Sequence, residues 1–280
     1  MTKDFGHRPG TTDGSLRPPS FDVARLEREA PIDRVTFFSS VESTNSEALR
    51  AAAQQASAGG AVPGSELFLA ETQTAGRGRG ANQWWSAPGA LTFSLLTAPL
   101  TIRPERAPLV SLAVGVAMCE AIETLAPGVQ ALLKWPNDVF LSGKKLCGVL
   151  IEMPPHRPPR LVIGVGLNVN NRLIDAPPEV RRRATSLSET AGDRPFDLTE
   201  VLLATLESIQ SVLLRLERND ATLPIAWRNR SLLTGKRVRV ELPGSELSGV
   251  CESIAPDGAL LVRTAAGVEP CYGGVVAEFA

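Results

Sequence analysis

Gly76-Arg77-Gly78-Arg79-Gly80 alternates three glycines with two arginines, and Trp84 and Trp85 follow a few residues later. Glycine lets the backbone take positive φ and approach a ligand closely. Arginine offers a planar fork of donors that stays charged and suits carboxylates and phosphates. A loop of this composition can hold an anion and close over it. The third glycine falls one place early for G-x-G-x-x-G, and no Lys-Ser or Lys-Thr follows at P-loop distance. Conventional dinucleotide or P-loop binding is therefore disfavoured. A solvated basic turn would use the same residue types, so the loop alone does not decide the chemistry.

Three further clusters carry polar chemistry. Lys134-Trp135-Pro136-Asn137-Asp138 is followed by Lys144-Lys145. Pro136 cannot continue an interior strand, which places Asn137 and Asp138 in a turn between two strands. Lys145 enters the apolar run Leu146, Val149, Leu150, Ile151, where an unpaired charge is costly and an anionic ligand would supply its partner. Gly164-Val165-Gly166-Leu167-Asn168 has glycines at alternate strand positions, a mark of close approach by a backbone or ligand, and Asn168 offers both a donor and an acceptor. Ser43-Thr44-Asn45 sits at a strand-to-helix junction, where by itself it reads as a routine N-cap. The two histidines, His7 and His156, lie in an N-terminal leader and a proline-rich loop. With no Ser-His-Asp set, metal triad or carboxylate pair in view, nucleophilic hydrolysis and glycoside cleavage are poor readings. A site of Arg, Lys, Gly and Asn suits group transfer between anions, catalysed by positioning and electrostatics.

The elements that must position these residues are legible in outline. Helical spacing marks short Phe21–Ala30, Ala-rich Thr44–Gln55, apolar Ala107–Leu125, and then Leu198–Glu217 and Ala221–Leu233. Strands are expected at Arg34–Ser40, Leu67–Ala70, Leu91–Ala98, Ala131–Lys134, Val139–Leu141, Leu146–Glu152 and Arg160–Gly166. A Gly/Ser/Pro linker occupies Ser57–Ser65, and Pro154–Pro159 reads as a hairpin loop. Hairpins mixed with flanking helices imply an α+β fold with a mixed β-sheet. After Gly235 come five short strand-like runs, Lys236–Glu241, Leu247–Ile254, Ala259–Arg263, Val268–Tyr272 and Val275–Phe279, separated by turn signals. These predict a small C-terminal β-barrel.

The 280 residues carry 43% hydrophobic and 21% charged side chains, an ordinary composition for a chain that fills a core. A net charge of -1 argues against a protein devoted to gripping nucleic acid. Four scattered cysteines without a C-x-x-C pair suit reduced thiols and a cytoplasmic location. No apolar run approaches the roughly 20 residues of a membrane span. Residues 1–30 read as a leader, disordered or briefly helical.

Taken together, these segments resemble the bacterial biotin protein ligases. The carriers are Ser43-Thr44-Asn45, Gln73-Thr74-Ala75-Gly76-Arg77-Gly78-Arg79 with Trp84, Lys134 to Asp138, Lys145-Leu146-Cys147-Gly148-Val149-Leu150-Ile151-Glu152, and Gly164 to Asn168, all in family order. The resemblance covers about residues 34–280. It implies a class II synthetase-like catalytic domain over 31–233 and an SH3-like barrel over 234–280. The implied reaction activates biotin with ATP and magnesium to biotinoyl-5′-AMP and pyrophosphate, and then biotinylates a lysine of a biotin carboxyl carrier domain.

By the same resemblance Ser43, Thr44, Asn45, Gln73, Arg77, Gly78, Arg79, Lys145 and Gly148 would bind biotin. Arg77, Arg79, Trp84, Asn137, Lys145 and Asn168 would bind ATP and the adenylate. Lys145, Arg77 and Asp138 would be catalytic, with Asp138 helping to deprotonate the acceptor amine. Magnesium would arrive with ATP, without a dedicated protein site. Only some 30 residues precede the first core strand, so no DNA-binding winged helix and no DNA partner are expected. A homodimer is left open. Gly80-Ala81-Asn82-Gln83 departs from the more basic loop of some relatives, which puts tight retention of the adenylate in question. The alternatives are a lipoate-protein ligase of the same fold, opposed by the Gln73–Arg79 pattern, and a non-catalytic RNA-binding module, opposed by the charge.

Overall fold

The computed structural model describes residues 20–58, 64–100, 102, 106–155 and 159–280. The leader to residue 19, His7, His156 and the middle of the 57–65 linker lie outside the described residues. The chain runs α1 (Val23–Glu29), β1 (Arg34–Val41), α2 (Thr44–Ala58), β2 (Glu66–Gln73), β3 (Ala90–Leu96), α3 (Ala107–Leu125), β4 (Ala131–Lys134), β5 (Asp138–Leu141), β6 (Lys144–Glu152) and β7 (Val162–Asn168). A 3₁₀ turn (Leu173–Asp175), α4 (Pro178–Arg183) and α5 (Leu187–Thr190) lead to α6 (Leu198–Glu217) and α7 (Thr222–Asn229). Strands β8 (Arg237–Leu242), β9 (Ser245–Ile254), β10 (Leu260–Thr264), β11 (Gly267–Cys271) and β12 (Val275–Phe279) end the chain.

The first seven strands form one sheet in the order β1-β2-β3-β7-β6-β5-β4, with β1 and β2 parallel and the remaining pairs antiparallel. This is the mixed sheet with flanking helices expected of an α+β chain. Side chains alternate across it. One face sends Leu91, Phe93, Leu95, Cys147, Val149, Ile163, Val165 and Leu167 into the main core shared with α3 and α6. α3 contains 18 residues of mean hydropathy 1.5, apolar and long enough to cross a membrane by composition, and two thirds of that stretch (67%) is buried here as a core helix. The other face is covered at one end by α2, whose Ala48 and Ala52 pack with Phe68, Leu96 and Val162. Beyond α2 that face is open, and the site lies there.

The C-terminal strands also form a sheet, in the order β11-β10-β9-β8-β12, but it does not close into the expected barrel. β11 and β12 remain separate edges. Closure needs each edge strand to offer a free row of backbone groups to the other. β12 offers its outer edge to the first sheet instead: Gly274 O, just before it, accepts from Arg79 Nη1 at 2.7 Å, and Val276 O from Lys134 Nζ at 3.0 Å. β11 carries Pro270, which has no N–H to donate and belongs on an edge. The barrel expectation rested on strand count and turn spacing, which do not say where the last edge goes.

The helices from α4 to α5 were not anticipated. They are six and four residues long and begin at prolines or a capping box, below the length at which periodicity is readable.

Candidate active site

A cleft of about 770 Å³ lies on the open face of the first sheet, walled by the loop after β2, the β4–β5 turn, α4 and the β12 edge. Each wall follows from a local constraint. The loop after β2 is a hairpin: Arg77 bridges Gln83, Gly78 N donates to Asn82 O at 2.8 Å, and Trp84 N to Gly76 O at 2.9 Å. Gly76 must be glycine because a Cβ there would lie 2.4 Å from Trp84 O, and Gly80 turns the hairpin at φ +64°.

The floor explains the alternate glycines of β7. A Cβ on Gly164 would sit 2.1 Å from Asn45 Oδ1, and one on Gly166 would sit 2.3 Å from the Trp84 indole. Each glycine makes room for one side chain brought from elsewhere. Gly148 on β6 does the same for Lys145, whose Nζ would lie 3.3 Å from an added Cβ.

Lys145 reaches the cleft because of a β-bulge. Val139 pairs with Cys147, but Phe140 pairs with Lys145, so Leu146 is the extra residue. Strict alternation would turn Lys145 to the core side with Cys147; one inserted residue turns it to the open face. There its Nζ lies 2.6 Å from Asp138 Oδ1, an ion pair by distance that is not aligned as a hydrogen bond.

The residues predicted for the site converge. Ser43, Thr44 and Asn45 are buried at the foot of α2. They are not a simple N-cap: the Thr44 N–H and hydroxyl both donate to Gln73 Oε1, at 2.7 and 3.0 Å. Ser94 Oγ lies between Thr44 Oγ1 and Asn45 Oδ1 and has one proton to give. Arg77, Gly78, Arg79, Trp84, Asn137, Asp138, Lys145, Gly148 and Asn168 all line the same cleft. The Trp84 Nε1–H is buried without an acceptor among the described residues. Asn137 Nδ2 is committed to Val149 O at 2.7 Å, and Asn168 Nδ2 to Thr185 O at 3.0 Å.

Burial lowers the pKa of Arg79 and Lys134, with the Asp138 carboxylate opposing it in both cases. Desolvated cations of this kind bind an incoming anion more strongly than hydrated ones.

Sequence reasoning did not single out Ser94, the bonds of Lys134, or the β12 edge. Thr92 and Ser94 alternate with Leu91, Phe93 and Leu95 on β3, a period-two signal that could have exposed them. Lys134 bonds Val276 O and lies 5.4 Å from the Phe279 ring centre, while Trp135 Nε1 donates to Gly258 O at 3.0 Å. The first two residues of Lys134–Asp138 therefore join the two sheets, and all five line the cleft. No local pattern announces such a joint.

Comparison with known proteins shows the family. Residues 40–170 match the Biotin/lipoate A/B protein ligase family, and residues 233–277 the Biotin protein ligase C terminal domain. Over 222 residues the chain is 35% identical to the biotin–[acetyl-CoA-carboxylase] ligase of Mycobacterium tuberculosis, covering 78% of this chain and 79% of that one. The chain belongs to the biotin protein ligase family. It is 33% identical to the bifunctional ligase/repressor BirA of Bacillus spizizenii, over 75% of this chain and only 65% of that longer relative. Among solved structures, biotin protein ligase from Aquifex aeolicus in complex with biotin and ATP superposes with a TM-score of 0.73 at 28% identity, covering 89% of this chain and 98% of that one. In this member of the family the five C-terminal strands form an open sheet docked on the cleft.

Proposed function

We propose that this chain is an ATP-dependent biotin–protein ligase whose catalytic unit, residues 31–233, is completed by the sheet in residues 234–280. The observation that carries the reading is the polarity of this cleft. Its Ser43–Thr44–Gln73 end is neutral and rich in hydrogen-bonding groups; its Lys145–Arg79–Lys134 end is cationic. Biotin has the matching form, a neutral ureido ring joined by an apolar tail to a carboxylate, and ATP adds a polyanion at the carboxylate end.

In the first step a biotin carboxylate oxygen attacks the α-phosphorus, and the bond from that phosphorus to the pyrophosphate oxygen breaks. Two anions must approach each other, which fixed positive charge in a site of lowered dielectric permits. In this reading Lys145 bridges the carboxylate and the α-phosphate once it leaves Asp138, the partner it has in the cleft beforehand. Arg77 and Arg79 hold the hairpin over the ligands, and the unpartnered Trp84 N–H is a donor kept for one of them. Asn168 and Asn137 line the nucleotide side, each using one amide proton to fix its own orientation.

In the second step the ε-amine of a lysine on a carrier domain attacks the acyl carbon, the carbon–oxygen bond to phosphate breaks, and AMP leaves as the amine loses a proton. Asp138, freed from Lys145, can accept that proton. Among the described residues no group of three or more His, Cys, Asp or Glu side chains could cage a metal. Magnesium would come with the substrate, bound to the triphosphate and its own waters as is usual for this ion.

Magnesium-dependent ATP–pyrophosphate exchange is expected only when biotin is present. Exchange supported by lipoate and not by biotin would overturn the assignment in favour of a lipoate ligase.

A further inference from the structure

Glu152 presents a puzzle beside a cleft that gathers anions: it does not line the cleft but holds Arg77 and Asn45, which do. It ends β6 on the open face, three-quarters buried, in the row that pairs Leu150 with Gly164 and Glu152 with Val162. A carboxylate there repels the ligands the site is built for, and ionised carboxylates are buried only when well paired. Glu152 is paired twice. Oε1 accepts from Arg77 Nη2 at 2.6 Å, and Oε2 from Asn45 Nδ2 at 2.8 Å. Asn45 is in turn fixed at its other end, with Oδ1 against Ser94 Oγ and the ring of contacts completed by the bare Cα of Gly164. The chain of contacts thus runs from the base of the hairpin lid (Arg77), through Glu152 and the foot of α2 (Asn45), to the centre of the sheet (Ser94).

We infer that Glu152 is a positioning residue: its two carboxylate oxygens clamp Arg77 and Asn45 together and so set the shape of the biotin end of the cleft before any ligand enters. The inference rests on the proposed biotin reaction. Asn45 gives one of its two amide protons to Glu152 and accepts from Ser94 at its carbonyl, so its orientation is set by protein partners. Arg77, held at its guanidinium, keeps the hairpin base in place while the tip carrying Arg79 reaches β12. Two acceptors are required because both partners are donors. A glutamine at this position has one acceptor and one donor, so it can hold either Arg77 or Asn45 but must repel the other.

Binding of biotin alone, measured by calorimetry on the full chain, separates the possibilities. Glu152→Gln is expected to weaken biotin about tenfold, the usual effect of losing one charge-assisted hydrogen bond. Glu152→Asp, which keeps both acceptors, should recover part of that loss. In pyrophosphate exchange the Glu152→Gln effect should fall on the KM for biotin, with kcat and the KM for ATP within about twofold of the parent. In an Arg77→Gln background the Glu152→Gln change should add little, because the clamp is already open. Unchanged biotin affinity in Glu152→Gln overturns the inference alone, as does a loss that is fully additive with Arg77→Gln or shared equally by biotin, ATP and thermal stability. A parent chain that binds no biotin overturns the functional reading and this inference with it.

Discussion

Alternate residues of the same strands build two unlike surfaces. On β3, Leu91, Phe93 and Leu95 enter the main core, while Thr92 lines the cleft and Ser94 lies buried beneath Thr44 and Asn45. On β7, Ile163, Val165 and Leu167 alternate with Gly164, Gly166 and Asn168; on β6, Cys147 and Val149 alternate with Gly148. The core face is filled by its own side chains. The cleft face is stripped to glycine and small polar groups so that Asn45 and Trp84, carried by other elements, and Lys145, turned by the bulge in β6, can lie on it. Stability is therefore concentrated on one face and ligand contact on the other, within residues that are direct sequence neighbours. Substitutions one position apart should separate the two properties.

The largest effect is expected on the core side. Phe93 is fully buried in the main cluster, and Phe93→Ala should cost about 3–5 kcal/mol of folding free energy. Denaturant titration would measure it, and the fraction that stays folded should keep the parent KM for biotin. A large KM change in Phe93→Ala would break the separation of faces. Lys145→Ala is the opposite test. The side chain is one-third exposed and rests on Gly148. Its loss should slow adenylate formation about 10²–10³-fold, comparable to removing a donor aimed at developing charge, and leave the thermal transition nearly unmoved. Full activity in Lys145→Ala would remove that residue from the chemistry.

The same contrast explains what could be read from sequence. The core face announces itself through apolar periodicity, which is why α3 and α6 were delimited correctly at both ends and all seven strands of the first sheet were anticipated within a few residues. The cleft residues were legible as motifs of unusual composition, and the structure gathers them in one place. Three things were not legible. Lys145 points into the cleft through a bulge at Leu146, and a one-residue register shift leaves no local trace. Glu152, Asn45 and Arg77 meet across separations of 75 and 107 residues, beyond any periodicity. The destination of β12 depends on residues 142 and 195 positions upstream, so strand count and turn spacing predict a barrel where the last edge docks on Lys134 and Arg79.

A smaller and more selective effect is expected at Gly166. A Cβ there must displace the Trp84 indole, which sits directly on the floor. Gly166→Ala should raise the KM for biotin or ATP about 10- to 100-fold through misplacement of the covering ring, since an error near 1 Å at a reacting site has that order of cost. The neighbouring core position, Val165→Ala, should instead lower stability and spare KM. Matching profiles for the two variants, read by exchange kinetics and thermal melts, would mean that the strand acts as a unit and not as two faces.

The smallest expected effect tests the dryness of the core side itself. Cys119 on α3 is fully buried, and burial pushes its thiol from an ordinary value of 9.0 to about 12; the buried Cys147 thiol behind Lys145 is also driven upward by burial. An acid whose pKa is raised by folding keeps its proton in the folded state when the unfolded chain has already lost it. The stability it contributes is complete below the unfolded value near 9 and is lost as pH climbs toward the folded one. The thermal transition of the parent should thus fall more steeply between about pH 9 and pH 11 than that of Cys119→Ala, which has no thiol to hold protonated. Thiol reagents, which need the thiolate, should label the folded chain slowly until denaturant is added. Equal slopes for parent and Cys119→Ala, or rapid labelling of Cys119 in the folded chain, would show that water reaches the layer between α3 and the sheet, and the contrast between a sealed face and an open one would no longer hold.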